Sequence, residues 1–359
     1  DQLDEGSRQV AQTASVIGPM FDHALLQRMM DVEDLDDKLD RLCDMGLMFE
    51  SSSFPAIEYS FRNILIQEAV YSTMLLKTRR KAHLAVGREI EKFYGARLED
   101  QFEVLAEHFR LGEDPPRAFE FTLNSGNKAK RSHANENAAD FFRRAIAIGE
   151  SLGESEVPLF EVHVAYSDTQ ELLGDVEGAI ASWQKAIALI DEALPRADAL
   201  RNIGRIEEKR GDPERAMAAY SEAEEILAEY PDAVETGMLL TNQSWVLNRQ
   251  GEGEAAIEKA NRALAIFEAL EATTEIAQVC NNLAVIYEHA GNLEKALDYN
   301  RRSLDLTIAI GNKRRTGNVC MSMGYLHRRR DEPEVALDYF DRAFETMTRI
   351  GNMFGAGSA

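Results

Sequence analysis

The chain is poor in the residues that usually carry cross-links, metals or catalysis. Three cysteines in 359 residues are too few for a disulfide framework, and neither Cys-x-x-Cys nor His-x-x-x-His occurs, so the common zinc-ligand spacings are missing. The seven histidines, at positions 23, 83, 108, 133, 163, 289 and 327, fall in separate segments. Catalysis needs a nucleophile, a base and an orienting group that converge. No such constellation is legible, and this chain is expected to be no enzyme, to hold no metal and to need no cofactor. There is no Gly-x-x-x-x-Gly-Lys-Ser/Thr, so the common phosphate-cradling loop is excluded. Basic residues number 40 against 62 acidic ones, a net charge of −22, which argues against general binding to nucleic acid or to an anionic membrane. No run of about 18 apolar residues exists, and the start, DQLDEGSRQV, has no secretory pattern. A cytoplasmic protein is expected. Prolines number only 9, which leaves long helices unbroken.

What the chain does have is a period. Residues 277–308 read as two amphipathic helices joined at Gly291-Asn292, with Leu283, Ile286 and Tyr287 on one and Ala296, Leu297 and Ser303 on the other. A shift of 40 residues aligns Ala216, Ala256, Ala296 and Ala336, and also Gly204, Ser244, Ala284 and Gly324. Gly211, Gly251 and Gly291 fall in step at the turn, with Asp331 in the last unit; the turn between units, Gly311-Asn312, recurs as Gly351-Asn352. A fixed period of this length means stacked supersecondary units, none of which buries its apolar face alone. Cys280 and Cys320 share a repeat place with Leu200 and Leu240 and are expected to be buried core thiols, as is Cys43 beside Leu39 and Leu42.

These residues resemble the tetratricopeptide repeat, which sets small residues at its eighth and twenty-seventh places and alanine at its twentieth. With Ala197, Gly237, Ala277 and Gly317 as first places, the twenty-seventh are Ala223, Ala263, Ser303 and Ala343. The phrase Cys280-Asn281-Asn282-Leu283-Ala284 looks most like the longer repeats of kinesin light chains and bacterial regulators. The resemblance implies a mainly all-α protein with a right-handed α-solenoid over 116–359, degenerate to about 159 and regular over 160–359. The break at GNMFGAGSA, where another helix is due, suggests a piece of a longer chain.

The first 75 residues read differently. Val10, Ala14 and Ile17 mark one helix, Phe21, Leu25 and Met29 a second, and Leu35, Leu39 and Leu42 a third ended by Gly46. Strand-like runs follow at 47–50 and 57–62. Three helices and a hairpin suggest a winged helix, but seven acids against Lys38 and Arg41 between Asp31 and Asp44 would repel DNA phosphates. The stretch from Gln12 to Gly18, Phe21-Asp22, 39–49 and 61–71 resembles the winged-helix region of STAND-type signalling ATPases. Its look-alikes are bacterial multidomain proteins linked to an adenylate/guanylate cyclase, a protein kinase or a LuxR-type DNA-binding domain. That resemblance implies a nucleotide-binding domain before residue 1 as an intramolecular partner. Many members read Phe-Arg-His where this chain has Phe61-Arg62-Asn63. Asn63 is therefore either a nucleotide-sensing residue or simply the N-cap of the next helix. Residues 76–115 read as a helical connector; its Lys77, Arg79, Arg80 and Lys81 are a solvated face, a partner to acidic helices or an anion site.

In the regular units, place six reads Asn202, Asn242, Asn282 and Ser322, place nine Arg205, Trp245, Val285 and Tyr325, and place thirteen Lys209, Arg249, His289 and Arg329. These places share one helix face. An amide ladder can bond an extended peptide backbone whatever its sequence, and the basic column favours acidic side chains. The alternative is structural: asparagines bonded to neighbouring helices, and cations meeting helix C-terminal dipoles. The expected function is a regulatory sensor arm that binds a peptide or protein, acidic ones favoured, in the concave groove; the alternatives are a stand-alone scaffold, or a parent cyclase or LuxR-type regulator whose effector lies outside this chain.

Overall fold

The computed structural model describes residues 3–30, 34–54, 56–153 and 157–349. The chain divides into two compact units, Asp1–Ser182 and Trp183–Ala359. Gly351-Asn352, Asp31 and Glu33 lie outside the described residues.

The first unit opens with α1 (Glu5–Ile17), capped by Asp4, whose carboxylate accepts from Ser7 N at 2.8 Å. A short strand β1 (Met20–Asp22) follows, then α2 (His23–Met29) and α3 (Leu35–Asp44). The expectation that Phe21 opens the second helix is corrected here. Asp22 caps α2 by accepting from Ala24 N at 2.7 Å, so the helix starts at His23, two residues later, and Phe21 pairs in a sheet with Tyr59. Strands β2 (Met48–Ser52) and β3 (Glu58–Phe61) complete an antiparallel sheet of order β1-β3-β2. Phe21 stacks on Tyr59 at 6.1 Å and tilts against Phe61 at 6.2 Å, which covers one sheet face with aromatics.

Helix α4 (Ile64–Ser72) leads to α5 (Leu76–Tyr94), a 3-10 turn at Gly95–Gln101, α6 (Phe102–Leu111), α7 (Pro115–Arg131), α8 (Asn135–Leu152), α9 (Leu159–Leu173) and α10 (Val176–Ala188), within which the units divide. One apolar cluster runs from Val10 and Leu39 through Phe61, Val86 and Ile90 to Phe109 and Phe121. Val86 and Ile90 bury the inner face of α5, which packs on α1 and α2, and Phe109 stacks on Phe121 at 5.5 Å.

Among the described residues, the second unit holds the end of α10 and then four helix pairs: α11 (Ala193–Arg210) with α12 (Pro213–Leu227), α13 (Val234–Gln250) with α14 (Gly253–Ala269), α15 (Thr273–His289) with α16 (Leu293–Ala309), and α17 (Lys313–Arg329) with α18 (Pro333–Thr348). Gly211, Gly251 and Gly291 take φ values of +90°, +86° and +78°, the left-handed ending that glycine adopts without a Cβ clash. Asp331 adopts +63° in the same role. In the first and third repeats the next residue caps the second helix: Asp212 accepts from Arg215 N at 3.0 Å, and Asn292 from Lys295 N at 3.1 Å. Cys280 and Cys320 are buried in the core between helices, as their repeat place predicts, and Cys43 is half-buried.

Candidate functional site

The places singled out in the sequence do lie on one face of the first helices. Asn202, Asn242, Asn282, Arg205, Trp245 and Val285 are half-buried along it, while Lys209, Arg249, His289, Tyr325 and Arg329 are exposed. The asparagines are not equivalent. Asn202 is tied to its own helix, donating to Asp198 O and Oδ2 at 3.0 Å and accepting from Arg205 Nε at 3.3 Å. Asn242 reaches the Tyr220 hydroxyl at 3.4 Å. Burial pushes that phenol up to about 12, which keeps it neutral.

The basic column is engaged from repeat to repeat. Arg249 Nη1 meets Glu208 Oε1 at 2.6 Å, and Arg329 Nη1 meets Glu288 Oε1 at 2.9 Å. Between them, His289 Nδ1 lies 3.0 Å from Asn248 Nδ2. In each case place thirteen of one unit bonds place twelve of the unit before. Sequence reasoning missed these rungs, although the signal was present: an acid or amide precedes each partner by 41 residues.

The inner face instead presents two adjoining clefts. One, of about 240 Å³, is lined by Gln278 and Asn281 of α15, Ser303 and Thr307 of α16, and Arg314, Arg315 and Asn318 of α17. The other, of about 190 Å³, is lined by Arg201 and Arg205 of α11, Thr241 and Asn242 of α13, Glu275 and Gln278 of α15, and Arg315. Gln278 and Arg315 belong to both, joined by a hydrogen bond from Arg315 Nη2 to Gln278 Oε1 at 2.8 Å. Burial, with Arg314 beside it, pulls the Arg315 guanidinium below its ordinary value. Asn281 Oδ1 is buried without a hydrogen-bond partner, an acceptor that a donor in the cleft would satisfy.

One local feature makes this cleft positive. Helices α13 to α16 and α18 each carry a glutamate in the first turn, namely Glu235, Glu254, Glu275, Glu294 and Glu334, as the positive end of a helix dipole favours. Helix α17 has none and begins Lys313-Arg314-Arg315. Cations against that dipole are unfavourable unless an anion joins them. This inversion is readable in the sequence, at the first turn of α17 and not at place thirteen.

With the repeat geometry in view, the family match decides the class. Residues 195–269 and 274–349 match the tetratricopeptide repeat. The second unit is thus an all-α solenoid of tetratricopeptide repeats. Over its whole length the chain is similar in fold to a Signal Transduction ATPase with Numerous Domains (STAND) protein with a tetratricopeptide repeat sensor from Pyrococcus horikoshii, with 14% identity and a TM-score of 0.54. The likeness covers 99% of this chain and 52% of that one. Similar too is the Cut9-Hcn1 hetero-tetramer of APC/C, with 14% identity, a TM-score of 0.51, and coverage of 93% and 60%. In sequence, an uncharacterized protein of Rhizobium meliloti (strain 1021) is 25% identical over 153 residues, which are 42% of this chain and 15% of that protein. The chain therefore spans between 15% and 60% of the length of these relatives.

Asn63, the other singled-out residue, caps α4 by accepting from Ile66 N at 2.9 Å. The basic run of α5 pairs internally at Arg80, which meets Glu113 at 2.6 Å; Arg79 lies 4.5 Å over the Tyr71 ring. Among the described residues, no three His, Cys, Asp or Glu side chains group as a metal centre, and no helix is long and apolar enough to cross a membrane. The structure does unite two histidines that the sequence left apart, His83 and His108, 2.9 Å from each other. Nothing in a spacing of 25 residues announces that pair.

Proposed function

We propose that the chain is the sensor and regulatory arm of a multidomain signalling ATPase, and that the second unit seats an acidic, extended segment of a partner protein or of the parent protein. The observation that carries this reading is the Arg314-Arg315 pair at the N-terminal end of α17, opening on clefts lined with amides. Guanidinia bind carboxylates bidentately, and Gln278, Asn281 and Asn318 supply peptide-like donors and acceptors. Arg249 and Arg329, whose charges are already matched, serve the framework. Three helices and the β1-β3-β2 sheet support a winged helix at the N-terminus, packed in the parent against a nucleotide-binding domain, with Asn63 at its sensing edge. On this reading the chain itself is a cytoplasmic, non-catalytic binding module without cofactor.

A stand-alone scaffold is the second reading. It is favoured by the repeat-to-repeat rungs, which hold the stack in one arrangement and leave little for a ligand to switch. A phosphate-binding loop ahead of residue 1 in the full-length sequence distinguishes the two. The groove itself is tested by titrating a pooled library of acidic peptides. Arg314→Ala with Arg315→Ala should weaken binding at least about tenfold and flatten its salt dependence, and Arg249→Ala with Arg329→Ala should change it little. Equal affinity for all three proteins would defeat the assignment.

A further inference from the structure

A second cavity, of about 610 Å³, lies in the first unit between the C-terminal end of α1 and helices α4, α5 and α6. Its volume is that of small-molecule sites. Val16, Ile17, Val104 and Leu111 give it an apolar lining.

The polar groups on its wall form one chain. His108 Nδ1 faces His83 Nδ1 at 2.9 Å, and His83 Nε2 faces the Tyr71 hydroxyl at 2.9 Å. Burial pulls both imidazoles down to about 4, so the pair is neutral. Whichever way the proton between Tyr71 and His83 lies, the Tyr71 oxygen keeps an acceptor lone pair for the cavity.

The rest of the wall has the same polarity. Gln67 Nε2 donates to Ser15 O at 2.7 Å and so leaves its carbonyl oxygen as the group to offer. Glu68, Glu103 and Glu107 stand around the cavity. Glu103 is matched by Lys128 at 3.0 Å and Glu107 by Arg110 at 2.5 Å, whereas Glu68 makes no ion pair among the described residues. Helix α1 ends at Ile17, which brings the negative end of its dipole to the wall. Neither lysine nor arginine lines the cavity. The nearby Arg79 is held by Ser72 O at 2.8 Å and Met74 O at 3.0 Å.

An apolar chamber with acceptors, carboxylates and a negative helix end is complementary to one ligand class. We propose that this cavity binds a small organic cation with an apolar body, such as a protonated arylalkylamine. The cation meets Tyr71 and Glu68, and the body packs on Val16, Val104 and Leu111. Anions are repelled, and a neutral analogue gains only the apolar burial. Because the walls come from α1 and α4 on one side and α5 and α6 on the other, occupancy ties these elements together.

The test is calorimetric titration of the whole chain with three probes of one shape: 4-phenylbutylammonium, 4-phenylbutanol and 4-phenylbutanoate. The ammonium should bind at least about tenfold more tightly than the alcohol, which corresponds to ~1.4 kcal/mol, and the carboxylate should not bind. Val104→Trp, at a position with an exposed edge, fills the cavity and should abolish binding of the ammonium and the alcohol. Glu68→Gln, on the surface of α4, leaves the core intact and should cut the preference for ammonium over alcohol. Circular dichroism and Tm confirm that each variant is folded. Equal affinity for the three probes, no saturable ammonium binding through the millimolar range, or ammonium binding retained in a folded Val104→Trp protein would each overturn the proposal.

Discussion

A Cβ atom added to Gly204 would fall 2.3 Å from Cε1 of Tyr220. The two residues occupy the eighth and twenty-fourth places of one repeat, and the same exchange recurs at Gly324, where an added Cβ would meet Phe340 at 2.5 Å. In the intervening units the pairs are Ser244 with Ala260 and Ala284 with Asn300. A large side chain on the second helix is matched by a missing one on the first, so the volume of the pair is kept.

Gly204→Ala should therefore destabilise the repeats by about 1–3 kcal/mol through overpacking, despite the better helix propensity of alanine. Tyr220→Leu alone should also destabilise them, by leaving a void. The double variant should lose less than the sum. A double-mutant cycle by urea unfolding measures the difference; strict additivity would show that the two residues do not share this space.

The histidine pair sets an acid limit on the first unit. His83 and His108 are held at about 4 by burial, below the ordinary imidazole value near 6.5, so between those values the unfolded chain binds more protons than the folded one. Stability rises with pH across that window. It should be full above about 6.5 and lost progressively as pH falls towards 4. Thermal unfolding from pH 7 to pH 4.5 should show Tm falling, and His83→Gln with His108→Gln should flatten the slope even if the absolute Tm drops.

Thiol reactivity should report packing. Burial pushes the Cys280 thiol up to about 11 and raises that of Cys320; burial followed by Asp40, Asp44 and Glu50 raises that of Cys43. The thiolate is the reactive form. In the native protein Cys43, half-buried, should react slowly with a disulfide reagent, and Cys280 and Cys320 should react only when urea opens the repeats. Fast labelling of Cys280 in native buffer would contradict its placement.

Charge neutralisation at a rung should matter less than its regularity suggests. Arg249 is 55% exposed, and exposed pairs contribute about 0.2–1 kcal/mol. Glu208→Gln should cost no more than that, and the cost should vanish in molar salt. A much larger loss would mean that Arg249 has a second partner.

The repeat itself was fully legible, because its signals are local: a turn glycine with positive φ and an alanine where helices touch, each returning after 40 residues. Phe21 was misread for a reason just as local. Its spacing to Leu25 fits a helix, and only the Asp22 cap and the pairing with Tyr59 show the strand. The clefts were half legible. The face was found, but which of its cations are matched depends on neighbours 41 residues away, and the inverted first turn of α17 was in plain view. The cavity beside His83 and His108 left no trace in the sequence, since it is made where four helices with unrelated patterns meet.

The rungs between repeats also have a mechanical meaning. Each spans a single junction, so a pull along the stack is resisted one junction at a time. Two junctions are closed by ion pairs, Glu208 with Arg249 and Glu288 with Arg329, and the one between them by the amide of Asn248 on His289. The middle junction also carries the exposed Glu268–Arg302 ion pair at 2.6 Å, so salt softens all three. Under the proposed function, a ligand seated across Gln278 and Arg315 would act as a clamp on the junction between the third and fourth repeats.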